Sequence, residues 1–261
     1  MAFHQVGSIK YYRFSSFENA GLYHAVFTRR GGVSPTPWHS LNFGASVGDD
    51  SKRVLHNRER ALTSLNIRTE GVYDLYQVHS TKIITTDSPL LPGAPHLKAD
   101  AIITNRPNIT LMMRFADCVP ILLFDPINRA IGIAHAGWIG TVDKIAAKTV
   151  KEMAVRFGSN PRDIIAALGP SIGPDHYSVG NDVIDRVRRS FTNQADELIN
   201  CIQGKTYFDL WKANRLALAE SGVQHIEECN LCTCCNLEDW YSHRGEHGKT
   251  GRFGVVFGLS E

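Results

Sequence analysis

Two histidines and a cysteine stand where side chains could do chemistry. His79 lies in Tyr76-Gln-Val-His79-Ser80, Cys118 in Phe115-Ala-Asp117-Cys118-Val-Pro120, and His135 in Ile133-Ala-His135-Ala-Gly137-Trp138. Each follows or closes an apolar run of strand character, and a strand end presents a side chain on a rim with rigid structure behind it. Pro120 and Gly137 mark turns that would expose these residues. Neutral imidazole and thiolate suit a borderline-soft divalent ion, zinc before copper. Three protein ligands leave a fourth tetrahedral position open, as catalytic rather than structural zinc sites do. The residues alone leave two other readings open. Cys118 could be a thiolate nucleophile with His79 or His135 as its base, or the three could be ordinary core residues that never meet.

A second group is denser in sequence: Cys229, Cys232, Cys234 and Cys235, with His243 and His247 downstream. Cys229, Cys232, His243 and His247 approach the spacing of a structural zinc site. Gly245 and Gly248 interrupt the helix that would carry the two histidines, so free thiols in a loop are the competing reading. Gly31-Gly32 reads as a turn, or as backbone held close to an anion with Arg29 as a charged clamp.

The elements that would position these groups are mostly strands in the first half. Apolar, β-branched and aromatic runs at Ile9–Phe14, Tyr23–Thr28, Val72–Val78, Lys82–Thr86, Ala101–Thr104, Thr110–Arg114, Pro120–Asp125, Ala130–His135, Ile164–Leu168 and Arg252–Leu259 predict strands. Helical periodicity predicts helices over Ser51–Leu65, Thr141–Phe157, Asp182–Phe191 and Leu210–Ser221. Candidate caps are Asp49–Ser51, Asn181 and Asp209, with Gly158 and Gly222 as stops. Strands first, then helices interleaved with strands, predict a single α+β domain over residues 1–261, with mixed sheets covered by helices.

The bulk properties narrow the function. The formal net charge is +2 over 261 residues, and Lys and Arg form no stripe, so nucleic acid is not the expected partner. No apolar run reaches a membrane span, and the start, MAFHQVGSIKYYRF, lacks a signal-like apolar core. Six cysteines, four of them crowded together, make a poor disulfide framework. The expectation is a cytoplasmic protein with free thiols.

Several motifs recur in a fixed order: Thr28-Arg-Arg-Gly-Gly-Val-Ser34, Leu41-Asn42-Phe-Gly44, Gln77-Val-His79, Ala99-Asp100-Ala101, Ala116-Asp-Cys-Val-Pro120, His135-Ala-Gly-Trp138, Gly169-Pro-Ser-Ile-Gly173, Cys232-Thr233, Tyr241-Ser-His-Arg244 and Thr250-Gly-Arg252. In these the chain resembles, over nearly its whole length, the YfiH/laccase-domain family, also called the multicopper polyphenol oxidoreductase or peptidoglycan editing factor family. The resemblance implies an α/β/β/α sandwich and zinc held by His79, Cys118 and His135, with copper as the alternative ion. It implies phosphorylase activity on purine nucleosides and methylthioadenosine, and deaminase activity on adenosine. The partners are then nucleoside and phosphate. Arg29 and Arg244 are candidates to hold phosphate, and Asn42, Gln77 and Thr233 to contact base or sugar. Asp117 is a candidate proton carrier. The resemblance also brings two alternatives, copper-dependent polyphenol oxidation and the editing of peptidoglycan precursors, the latter suited to a Cys118 hydrolase. One departure is local: Gly245-Glu246 follows Arg244, where the family commonly has a second Arg and an Asp.

Overall fold

The computed structural model describes residues 2–91 and 93–260. Its strands are β1 (Ala2–Val6), β2 (Ile9–Arg13), β3 (Leu22–Phe27), β4 (Val72–Asp74), β5 (Ile83–Thr85), β6 (Ala101–Thr104), β7 (Thr110–Phe115), β8 (Val119–Asp125), β9 (Ala130–Ala136), β10 (Ile165–Leu168), β11 (Ile199–Ile202), β12 (Lys205–Phe208), β13 (His225–Glu228) and β14 (Phe253–Leu259). Its helices are α1 (Ser51–Thr63), α2 (Trp138–Val142), α3 (Ile145–Phe157), α4 (Asn181–Phe191) and α5 (Leu210–Glu220).

Twelve of the strands form two six-stranded mixed sheets. One has the order β1-β2-β3-β14-β7-β4, the other β13-β10-β8-β9-β6-β5, and β11 and β12 make a separate hairpin. β8 and β9 are buried along their whole length, because both faces of the second sheet are covered. Their sequences, VPILLFD and AIGIAHA, are accordingly near-continuous apolar runs rather than alternating ones.

The sheets pack face to face. Tyr12, Val26, Leu111, Met113, Val255 and Phe257 from the first share a core with Ile102, Leu122, Phe124, Ile131 and Ile133 from the second. The outer face of the second sheet buries Ile103, Ile121, Leu123 and Ala134 against α2–α5. The outer face of the first buries Phe27, Met112 and Val256 against Ala61 and Leu62 of α1. The layers therefore run α/β/β/α, and the fold is mixed α+β as the sequence predicts. No helix among the described residues is long and apolar enough to cross a membrane.

The helix ends follow local chemistry. The Asp50 side chain accepts from Lys52 N–H at 2.7 Å and caps α1, and Asp209 accepts from Lys212 N–H at 2.9 Å and caps α5. Gly158 stops α3 at φ +73°.

Three expectations change. The helix expected over Thr141–Phe157 is two helices, because Lys144 takes a left-handed conformation at φ 56°. The strand expected over Val72–Val78 ends at Asp74; beyond it the chain leaves the first sheet, and Tyr76 bridges Lys98. The N-cap of α4 is Gly180, with Asn181 inside the helix.

Candidate metal centre

The two sheets meet around the three candidate ligands. Cys118 lies in the short connection that carries the chain from β7 in the first sheet to β8 in the second. His135 is on β9 of the second sheet. His79 lies in the loop after β4, in a left-handed conformation at φ 58°. The structure brings the ligand atoms of His79, Cys118 and His135 within 4.8 Å of one another. Tetrahedral zinc with one S and two N ligands would hold its donor atoms about 3.3–3.6 Å apart. The set is therefore of the right size and chemistry for such an ion.

Asp100 organises two of these ligands. Its fully buried carboxylate accepts from His79 N–H at 3.0 Å, from Ser80 N–H at 2.6 Å and from the Ser80 hydroxyl at 2.8 Å. These bonds define the loop that brings the exposed His79 alongside Cys118 and His135. The same carboxylate accepts from His135 Nδ1 at 2.9 Å, which leaves Nε2 as the free ligand atom. Burial alone would push Asp100 up, but His135 and Ser80 outweigh it and hold the carboxyl at about 2. Burial would likewise raise the Cys118 thiol, yet the His135 and His79 rings bring it down to about 6. Burial opposes a charge on His135, but Cys118 and Asp100 push it up to about 9. Without an ion the trio thus pairs a Cys118 thiolate with a protonated His135 at neutral pH, and a metal that binds there displaces the proton from His135 Nε2.

Gly137 makes the space. A Cβ there would lie 2.7 Å from His79 Nδ1 and 3.0 Å from Cys118 Sγ, so only glycine leaves the ligand cradle open.

Two cavities open at the centre. One, of about 510 Å³, is lined by Arg58, Gln77 and His96 among others. The second, of about 570 Å³, is lined by Asp117, Trp138, Tyr177, His243 and Arg244 among others. His79, Arg114, His135 and Arg252 belong to both walls. The Arg58 and Arg114 guanidiniums share Asp74 Oδ2 at 3.4 and 2.6 Å. Burial, reinforced by the neighbouring Arg114, brings Arg58 down to about 10. Arg252 differs: its guanidinium donates only to the Thr250 and Gly251 carbonyls, and no carboxylate among the described residues pairs with it.

The other sequence candidates divide between wall and support. Arg244 lines the second cavity, its guanidinium lying 5.1 Å from the Tyr177 ring centroid and donating to Ser178. Gln77 lines the first, but both ends of its amide bond the backbone of Arg114, at 2.8 and 2.9 Å. Arg29, Asn42 and Thr233 line neither cavity. Arg29 donates to the carbonyls of His39 and Leu237, pairs with Glu246 at 3.0 Å and lies over the Tyr241 ring. The departure at Glu246 therefore supplies Arg29 with an internal partner. Asn42 is fully buried; its Oδ1 accepts from Gly44 and Arg252 N–H, and its amide donates to Asp49. The Thr233 hydroxyl donates to Asp117 at 2.7 Å, and the other Asp117 oxygen accepts from Arg244 N–H at 2.6 Å. Asp117, left-handed at φ 83°, is thus a knot tying three segments together.

Asp100 and Arg252 stood in the ordered motifs without an assigned role, and Arg58 and Arg114 had weak signals in sequence. A charge closing the apolar strand TLMMRF was the best of them.

The comparisons with known proteins agree on one group. Residues 23–260 match the family model described as multi-copper polyphenol oxidoreductase laccase. The purine nucleoside phosphorylase YlmD of Bacillus subtilis (strain 168) is 39% identical over 243 residues, covering 90% of this chain and 87% of that one. A purine nucleoside phosphorylase of Deinococcus radiodurans is 37% identical, covering 92% and 90% of the two chains. The crystal structure of Bacillus licheniformis hypothetical protein YfiH superposes with a TM-score of 0.91 at 36% identity, over 99% of each chain.

Proposed function

The chain belongs to the multi-copper polyphenol oxidoreductase laccase family, the YfiH-like proteins, and on that premise we propose that it is a zinc-dependent purine nucleoside phosphorylase. Relatives that carry this enzyme name support the reaction class. The observation that carries the reading in this chain is Arg252, a half-buried cation with no carboxylate partner among the described residues, in the wall common to both cavities. Cys118 and Asp117 oppose its charge without pairing directly with it, and an inorganic phosphate would supply a direct counter-ion.

In this reading His79, Cys118 and His135 hold zinc, with Asp100 fixing the His135 ring. A bound zinc supplies Lewis acidity and positive charge beside the reacting atoms. Arg252 and Arg114 hold the phosphate, and Arg244 supplies further charge from the second cavity. One phosphate oxygen attacks C1′ of the ribose, the glycosidic C–N bond breaks, and the purine leaves with its bonding electrons and takes up a proton. Stacking against Tyr177 or Trp138 would orient the base. Inosine, guanosine, adenosine and methylthioadenosine fit the same scheme, because their differences lie away from the broken bond. Deamination of adenosine needs water rather than phosphate as the nucleophile.

The test is an assay of inosine and adenosine turnover with and without phosphate, alongside metal analysis of protein purified without chelator. Phosphate-dependent release of free base by zinc-loaded protein is expected; base release indifferent to phosphate would overturn the proposal. The same metal analysis distinguishes zinc from copper, which the His2Cys set also suits.

A second reading has one geometric observation behind it. Asp100, His135 and Cys118 follow one another as carboxylate, imidazole and thiol, the arrangement of a cysteine hydrolase. Such an enzyme would cleave an amide of a peptidoglycan precursor, and a covalent acyl adduct on Cys118 would identify it.

A further inference from the structure

Behind the second cavity lies another group of soft ligands. Cys232 and Cys235 form a Cys-x-x-Cys pair in the segment after β13, and the structure brings His176 to them from the loop after β10. The donor atoms of His176, Cys232 and Cys235 lie within 4.8 Å of one another. Cys235 Sγ is 3.7 Å from the His176 ring nitrogens. Sulfur and nitrogen ligands on one tetrahedral zinc would stand about 3.5 Å apart. His176 Nδ1 donates to the Asp175 carboxylate at 2.7 Å, which fixes the ring and leaves Nε2 as the ligand atom. The Gly173 N–H points at Cys232 Sγ at 3.1 Å, a contact that stabilises a thiolate. Cys229, His243 and His247, which the sequence spacing grouped with Cys232, are not in the cluster; Cys235 and His176 take their place.

We propose that His176, Cys232 and Cys235 bind a second divalent ion of the zinc class, whose role is to join two chain segments behind the cavity wall rather than to take part in the reaction. Binding displaces the two thiol protons to solvent, leaving two thiolates and a neutral imidazole as ligands. The fourth position falls to water or to Asp175.

The role follows from what the ion would join. The 173–178 loop carries Tyr177, a wall of the second cavity. The 232–235 segment carries Thr233, which holds Asp117. Ser171 and Cys232 already form an isolated bridge between these two stretches. An ion on their outer side would clamp the wall of the cavity from behind.

The proposal is independent of the ion at Cys118. Full-length protein, purified in reductant without chelator, is assayed for zinc equivalents per chain. The double variant Cys118→Ala/His135→Ala removes the first centre and is expected to keep one equivalent. Adding Cys235→Ser, at an exposed position, is expected to remove it. Should the double variant fail to fold, His176→Asn alone in the otherwise unchanged chain is expected to lose one equivalent. Cobalt loading gives a second readout, a thiolate charge-transfer band that survives loss of Cys118 and disappears with Cys235→Ser. If the first centre binds no metal, the unaltered chain still holds one equivalent that depends on Cys235. Zinc content unchanged by Cys235→Ser and by His176→Asn would overturn the proposal. So would a Cys232–Cys235 disulfide found by alkylation mapping of freshly lysed cells.

Discussion

A methyl group on Gly137 would sit 2.7 Å from one ligand and 3.0 Å from another, closer than carbon approaches nitrogen or sulfur without displacement. The backbone there, φ −72° and ψ 179°, suits any residue, so the strain of Gly137→Ala falls on the ligands alone. Metal affinity is expected to drop about 10-fold or more, the range seen when ligand positioning is disturbed. The far-UV circular dichroism should stay native, and unchanged metal affinity in the variant would contradict the assigned cradle. The arginines give a second prediction. Arg252→Met removes a guanidinium of the shared cavity wall that has no carboxylate partner among the described residues, and the lost charge-assisted contact should cost about 1.5–3 kcal/mol, roughly a 10- to 100-fold rise in KM for phosphate. Arg29→Ala should instead lower thermal stability and leave KM for phosphate near its original value, because Arg29 bonds Glu246, Leu237 and His39. A rise in phosphate KM confined to Arg29→Ala would reverse the assignment. The three soft ligands were legible as residue types beside turn signals. What Arg29 bonds was not, because Leu237 and Glu246 lie about two hundred positions away and no local pattern encodes them.

At the scale of elements, β3 carries a histidine where its neighbours are apolar. His24 is 1% exposed, packed against Phe14, Phe17 and Phe257. Its Nε2 accepts from Phe14 N–H at 2.8 Å, and its Nδ1 has no partner among the described residues. Burial, with the nearby Arg13 charge, holds its pKa down at about 3. As pH falls below 6.5, the unfolded chain takes up a proton that the folded chain refuses until about pH 3. Stability is therefore lost across this window on acidification, by up to about 1.4 kcal/mol per pH unit from this one group. His24→Gln keeps an acceptor for Phe14 and removes the ionisation, so its denaturation free energy should fall less steeply between pH 6.5 and 3. Parallel curves for the two proteins would refute this. Strands with strong apolar runs, such as β6 and β8, were legible to within a residue or so. β13, HIEE, was not: it is an edge strand paired only with β10, and its polar side chains give no period. Lys144 broke an expected helix because its left-handed turn depends on how α2 and α3 pack, which periodicity does not report.

The whole molecule is two sheets that share one core, and the candidate centre spans both. Cys118 sits on the crossover from the first sheet to the second, His79 follows a strand of the first, and His135 belongs to the second. An ion held by all three resists separation of the sheets, and it binds the folded chain far better than the unfolded one. By mass action, free zinc at a thousand times its dissociation constant adds about 4 kcal/mol of stability. For a chain of this size each kcal/mol moves Tm by about 2–4 °C, so chelation should lower Tm by roughly 10 °C. Both sheets contribute side chains to the same central cluster, so neither keeps a complete core if the other unfolds. Calorimetry should accordingly record one transition with zinc and one without, displaced but undivided. Cys118→Ser should remove most of the displacement, with the remainder depending on Cys235. A metal-free protein that melts in two steps would mean that the sheets are separate cooperative units joined by the ion. An unchanged Tm after complete zinc removal would mean that zinc binds the folded chain no better than the unfolded one, and the assignment of His79, Cys118 and His135 as a metal centre that ties the sheets together would fall.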